Sequence, residues 1–151
     1  MTIDYPWEYD FVWLGADRRG QVAAFVSAGV GPVPTSVLEG PTVVEDTEGL
    51  LRDTLIATSV AQPVHVDTSA ASFDELAQLG LYVFDWTDVQ RTHGFARAYE
   101  KVSYPLSPVT LDRLPAALKA QLVITGFDSA AFDEVDYVDV AAYFPCLGAT
   151  A

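Results

Sequence analysis

The sequence is poor in cysteine and in positive charge. Its single cysteine, Cys146, can form neither an intramolecular disulfide nor a multi-cysteine zinc site, which favours a reducing compartment. Eight Lys and Arg stand against 21 Asp and Glu, a formal net charge of −13. Nucleic acids and anionic lipids are bound by Lys and Arg patches, so we expect neither nucleic acid nor a membrane as a partner.

Long apolar runs are also missing. No stretch approaches the roughly 18 charge-free apolar residues that are needed to span a bilayer. The first residues carry Asp4 and Glu8 where a secretory signal would carry Lys or Arg. We therefore expect a soluble, cytoplasmic protein. With 50% apolar residues in 151, the chain is able to form a core, and we predict a single globular domain over residues 1–151.

The usual catalytic motifs are absent as well. The sequence contains no G-x-S-x-G, no G-x-x-x-x-G-K-[ST] and no H-E-x-x-H. A nucleophilic Cys146 would need His65 or His93 as its base, and their spacing does not bring them together. We predict no catalytic residue, no cofactor and no metal from motifs alone.

Among the features that are present, three apolar runs indicate strands. Phe11–Ala16 and Gln21–Ser27 flank the polar turn Asp17–Gly20, a spacing typical of a β-hairpin. A further run, Leu81–Trp86, is apolar enough to predict a central strand.

Three other segments have apolar residues at helical spacing. One follows the acids around Asp46, which compensate a helix dipole. The second begins at Ser72, whose S-x-x-E spacing with Glu75 predicts a capping box, and Gly80 is placed to end it. The third begins at Pro115. Because helices and strands do not alternate regularly, we predict an α+β fold, a mostly antiparallel sheet with two or three helices packed on one side. A parallel α/β sheet is the second choice.

The segment Ala28–Pro34 holds two glycines and two prolines. Since Pro32 follows Gly31, no helix begins there to hold a phosphate. Glycine in this setting indicates that the backbone approaches something closely, either a neighbouring strand or a ligand, and we favour the strand.

Polar residues at the end of the predicted central strand form the first candidate site. Asp85, Trp86 and Asp88 are followed by Arg91 and His93. Two carboxylates at i, i+3 could share a metal or divide acid and base roles, with the histidine tuning one of them. In the structural alternative, an aspartate caps the next turn, Arg91 pairs with it, and Trp86 fills the edge of the core.

Two acidic stretches carry much of the net charge, Glu39–Asp53 and Asp128–Asp139. Helix capping explains part of the first, so the second is the better candidate for an acidic binding face. The predicted binding residues in the second stretch are Asp133, Glu134, Asp136 and Asp139.

A resemblance rests on four motifs: Phe11-Val-Trp-Leu, Gly20-x-Val-Ala-x-Phe25, Gly29-x-Gly31-Pro32-x-Pro34 and Tyr82-Val-Phe-Asp-Trp86-Thr-Asp88. In these, the chain resembles a set of small acidic bacterial proteins of unassigned function, similar in size and charge to immunity proteins of bacterial toxin systems. The resemblance implies no catalytic residues.

Three functional hypotheses follow. The first is a non-catalytic acidic binding protein, an immunity or antitoxin-like inhibitor of a basic protein partner, because complementary charge speeds association and adds specificity. The second is a small hydrolase that uses Asp85, Asp88 and His93. The third is a housekeeping domain with no specific partner, whose acidity serves solubility.

Overall fold

A computed structural model describes residues 10–40, 46–64, 71–87 and 98–148. The elements in these ranges are, in chain order, β1 (Val12–Asp17), β2 (Val22–Val26), β3 (Val33–Pro34), α1 (Thr35–Leu38), α2 (Thr47–Thr54), β4 (Ala61–Pro63), α3 (Ala71–Gln78), β5 (Tyr82–Trp86), β6 (Tyr99–Pro105), α4 (Ala116–Leu122), β7 (Gly126–Phe127), β8 (Tyr137–Val138) and β9 (Cys146–Leu147).

The main sheet has the strand order β4-β6-β5-β2-β1-β7, and β8 pairs with β6 beside this path. The pairs β1–β2, β5–β6, β4–β6 and β6–β8 are antiparallel, whereas β2–β5 and β1–β7 are parallel. The fold is therefore α+β, but its main sheet is mixed. Both parallel pairings arise because the chain crosses back over the sheet through helices, as parallel neighbours require.

Both faces of the sheet are apolar, and they differ in chemistry. In β1, Trp13 points to an aromatic face, while Val12 and Leu14 point to an aliphatic face. Helices α2, α3 and α4 cover the aliphatic face through Leu51, Leu76 and Leu118, as the sequence predicts for three helices on one side. The aromatic face is covered by α1 and by the C-terminal segment that carries β7, β8 and β9.

Stacked rings fill the aromatic face. Phe25 lies at its centre, with ring centroids 4.3 Å from Trp13, 5.3 Å from Phe84 and 5.4 Å from Phe127. The indole N–H of Trp13 donates to the Tyr99 hydroxyl at 3.3 Å, which donates to the Pro32 carbonyl at 2.9 Å. The polar ends of these large side chains are thus satisfied inside the core.

Most of the local sequence predictions agree with these elements. The hairpin forms with Trp13 opposite Phe25, and β5 lies between β2 and β6 at the centre of the sheet. Gly80 has φ +98° two residues after the end of α3, and Pro115 precedes α4. The capping box is wrong: Ser72 lies inside α3, and Glu75 pairs with Arg52 of α2 instead.

Gly31 shows why the glycine-rich loop is needed. A Cβ at this position would lie 2.7 Å from the Tyr99 hydroxyl, 2.9 Å from the Ser27 carbonyl oxygen and 2.9 Å from Cγ of Trp86. All three distances are shorter than real Cβ contacts, so only glycine fits. The close approach is to the protein's own core, as favoured from the sequence.

We predict that Gly31→Ala destabilises the fold by about 1–3 kcal/mol, because the added methyl overpacks a filled core. Gly49→Ala is the matched control. Gly49 lies in α2 with nothing within 4 Å of an added Cβ, so there the change raises helix propensity and stabilises by about 0.5–1 kcal/mol. Urea unfolding measures both. Equal effects in the two variants would contradict the close approach at Gly31.

Candidate functional site

The residues predicted at the end of β5 divide into two groups. Trp86 is buried, with its ring 5.3 Å from that of Tyr99, in agreement with the structural alternative. Asp85 is half-buried and lies opposite Glu100 in β6. Asp88, Arg91 and His93 lie outside the described residues. The catalytic grouping of Asp85, Asp88 and His93 therefore stays a prediction.

Two of the predicted acidic residues hold the tip of the β1–β2 hairpin. The guanidinium of Arg19 donates to Asp133 at 2.7 Å and to Glu134 at 2.7 Å, and Arg18 donates to Glu134 at 3.2 Å. The charges of Asp133 and Glu134 raise the pKa of Arg19. A hydrogen bond from Gln21 is the largest cause that lowers the pKa of Asp133. These two carboxylates are compensated by hairpin cations and attach the C-terminal segment to the sheet.

Asp17, at the end of β1, organises this junction. Its buried carboxylate accepts hydrogen bonds from the backbone N–H groups of Arg19 and Gln21, each at 2.9 Å, and of Phe132 at 2.8 Å. The side-chain amide of Gln21 donates to Asp17 at 2.9 Å and to Asp133 at 3.1 Å. Sequence reasoning missed this role, although an aspartate that opens an Asp-Arg-Arg-Gly turn is a signal for such bonding.

The other acids of the C-terminal segment are placed differently. Asp128, Asp136 and Asp139 are exposed, and within the described ranges no cation lies at ion-pairing distance from any of them. Asp136 immediately precedes β8, and Asp139 immediately follows it. Carboxylates at both ends of a short edge strand also oppose unwanted pairing with another strand.

Helix α2 of the first acidic stretch and the second stretch lie on opposite faces of the sheet. Helix α2, which carries Glu48 and Asp53, packs on the aliphatic face through Leu51. The segment Asp128–Asp139 packs on the aromatic face through Phe132 and other apolar side chains. The sheet therefore separates the acids of α2 from this segment, whereas Glu39, at the end of α1, belongs to the side of the aromatic face.

A cleft of about 430 Å³ opens beside β6. It is lined by aromatic, apolar and charged side chains: Val64, Tyr82, Lys101, Tyr104, Pro105, Leu106, Pro108, Asp133 and Asp136. This volume falls in the range of small-ligand sites, which combine an apolar wall with a few polar groups.

A β-bulge aims two side chains of β6 into this cleft. Residues three apart on a regular strand point to opposite faces, yet Lys101 and Tyr104 both line the cleft. The pairing shifts between Val83 and Phe84, which adds one residue to β6 at Val102. An extra residue of this kind re-aims the side chains on either side of it.

Lys101 and Tyr82 are the two most buried titratable groups that line the cleft. The Lys101 ammonium lies 5.5 Å from the centre of the Tyr82 ring, and the side chain is buried. Burial lowers the pKa of Lys101, against the opposing attraction of Asp136 and Asp133. Burial, together with the charges of Asp133 and Asp17, raises the pKa of Tyr82 to about 12. The Tyr82 hydroxyl donates to the Gln21 side-chain carbonyl at 3.0 Å.

We predict that Asp17→Asn lowers the free energy of unfolding by about 1.5–3 kcal/mol, since an amide nitrogen cannot accept the bonds that the carboxylate accepts. Asp128→Asn makes the same chemical change at an exposed carboxylate that has no cation at ion-pairing distance within the described part of the chain, and it is expected to alter stability by less than about 0.5 kcal/mol. Chemical denaturation measures both. Equal stabilities for the two variants would show that Asp17 does not organise the junction.

No helix of the described ranges is long and apolar enough to cross a membrane. No protein-family model matches the chain, and comparison with curated proteins and with solved structures found no match. The resemblance to immunity proteins therefore stays a prediction, and functional inference rests on the side chains described above.

Proposed function

We propose that this protein is a non-catalytic binding protein that takes a basic protein partner at the acidic rim of the cleft beside β6, as an immunity or antitoxin-like inhibitor would. The observation that carries the proposal is the contrast among the acids of one segment. Asp133 and Glu134 are compensated by hairpin arginines, whereas Asp136 and Asp139 have no cation at ion-pairing distance among the described residues. Their charge is available to a partner.

The wall of the cleft adds an apolar component. Leu106 is 58% exposed and lines the cleft together with Tyr104 and Pro108. Val60, 59% exposed, lies next to it, because its carbonyl accepts the Leu106 N–H at 3.0 Å. A partner segment with an apolar side chain beside Lys or Arg matches this surface: the apolar group packs on Leu106, and the cation faces Asp136.

The opposite face of the sheet is a weaker candidate. There Glu48 and Glu75 both bind Arg52, at 2.8 Å each. Glu48 of α2 is thereby used within the protein, whereas Asp46 and Asp53 have no cation at ion-pairing distance among the described residues. Charge complementarity steers association and sets partner choice, and the cleft beside β6 adds an apolar wall to its exposed carboxylate, so it is the better partner surface.

Selection from a displayed random-peptide library tests this proposal. The wild-type chain is expected to enrich peptides that carry Lys or Arg next to an apolar residue. We predict that the double variant Asp136→Asn, Asp139→Asn weakens binding of the selected peptides roughly tenfold, which corresponds to ~1.4 kcal/mol. Raising NaCl from about 0.05 to about 0.5 M should weaken wild-type binding, because exposed charge pairs are screened by salt.

The matched control is Asp46→Asn, Asp53→Asn, which removes the same charge from α2 on the opposite face. It is expected to leave peptide affinity unchanged. Peptides without basic residues, or an equal loss of affinity in the control, would reject the proposed face.

A further inference from the structure

Lys101 has no role in the proposed partner surface, and its surroundings are unusual for a lysine. It is 8% exposed and lines the cleft beside β6. Within the described ranges no carboxylate lies at ion-pairing distance from its ammonium. Lysines this buried are almost always paired. We propose that the Lys101 amine forms a reversible imine with a small uncharged aldehyde or ketone bound in the cleft.

The groups that face Lys101 come from three parts of the fold. Tyr82 of β5 lies beneath its ammonium, Tyr104 follows it on β6, and Asp133 and Asp136 approach from the C-terminal segment. Asp133 is itself neutralised by Arg19. Burial outweighs the two carboxylates, so the pKa of Lys101 is lowered. A larger fraction of this amine is therefore unprotonated near neutral pH than for a lysine in water, and the unprotonated amine is the nucleophile.

The chemistry needs no oxidant, metal or further reactant. The nitrogen lone pair of Lys101 adds to the carbonyl carbon, forming a C–N bond as the C=O π pair moves to oxygen. A proton passes from nitrogen to oxygen to give a carbinolamine. The hydroxyl then leaves as water, taking the remaining N–H proton, while the nitrogen electrons form the C=N bond; addition of water reverses each step. A cleft that is open to solvent permits both directions.

The lining selects the class of carbonyl compound. Asp136 at the rim disfavours ligands that carry carboxylate or phosphate, as does the net charge of −13. Pro105, Leu106 and Pro108 provide an apolar wall. We therefore expect an uncharged aldehyde such as butanal to react in preference to the anionic aldehyde glyoxylate.

The sequence supplies an internal control, because the chain has two lysines, Lys101 and Lys119. Lys119 is half-buried on α4, away from the cleft. The folded protein is treated at neutral pH with butanal and cyanoborohydride, which converts the imine into a stable secondary amine, and peptide mass mapping reads each site. We predict several-fold more label on Lys101 than on Lys119 near pH 7.

Variants distinguish a Lys101 amine that reacts because of its surroundings from one that is merely accessible to the reagent. Asp136→Asn removes a charge that raises the pKa of Lys101, so it should increase label on Lys101 at pH 7, whereas Asp53→Asn should not. Lys119→Arg should leave the Lys101 label unchanged. In urea the preference should disappear, because burial is lost.

The inference is overturned if Lys101 in the folded protein takes no more label than Lys119, if the preference persists in urea, or if glyoxylate labels it as well as butanal does. Its outcome is independent of the proposed partner, since labelling requires no peptide and peptide binding requires no amine.

Discussion

The junction around the Asp17 carboxylate determines how the rest of the molecule is arranged. This one buried group accepts the N–H groups of its own turn and the N–H of Phe132, more than 100 residues later in the chain. Gln21 extends the network to Tyr82 and Asp133. A buried charge is tolerated only when its hydrogen bonds are complete. The network therefore fixes the positions of the hairpin tip, the central strand β5 and the C-terminal segment relative to one another. Two of the side chains that this network fixes, Tyr82 and Asp133, line the cleft beside β6.

The sheet explains where polar chemistry is possible. Strands β1 and β2 are buried on both faces, so their side chains are committed to one of two apolar cores. The polar side chains that can contact a ligand lie beside β6 instead, because β4 and β8 each pair with only part of that strand. The bulge at Val102 then turns Lys101 and Tyr104 to the same side. An irregularity in one strand thus produces a cleft at the edge of an otherwise closed core.

Local signals in the sequence were sufficient for the β1–β2 hairpin, for β5 and for helices α2, α3 and α4, because the hairpin turn, the left-handed Gly80 and the position of Pro115 are determined by nearby residues. The parallel pairings were not predictable, since they depend on which distant strands meet. The cleft was missed for the same reason, because it depends on residues that are distant in the chain. From the sequence Lys101 is an ordinary strand residue, and only the fold shows the bulge beside it and Asp136 in the same cleft. The capping box at Ser72 does not form, because Ser72 already lies within α3, and Glu75 instead pairs with Arg52 of another helix.

The net charge says something about function only when the acids that form hydrogen bonds within the protein are distinguished from those that do not. Asp17, Asp133 and Glu134 are structural, because each accepts hydrogen bonds that hold the hairpin to the C-terminal segment. Asp136 and Asp139 contribute no such bond to another described side chain and remain exposed around β8. Asp136 lines the same cleft as the exposed Leu106, so an uncompensated carboxylate and an apolar side chain are offered together. This combination, rather than the number of acids, is what favours a binding surface.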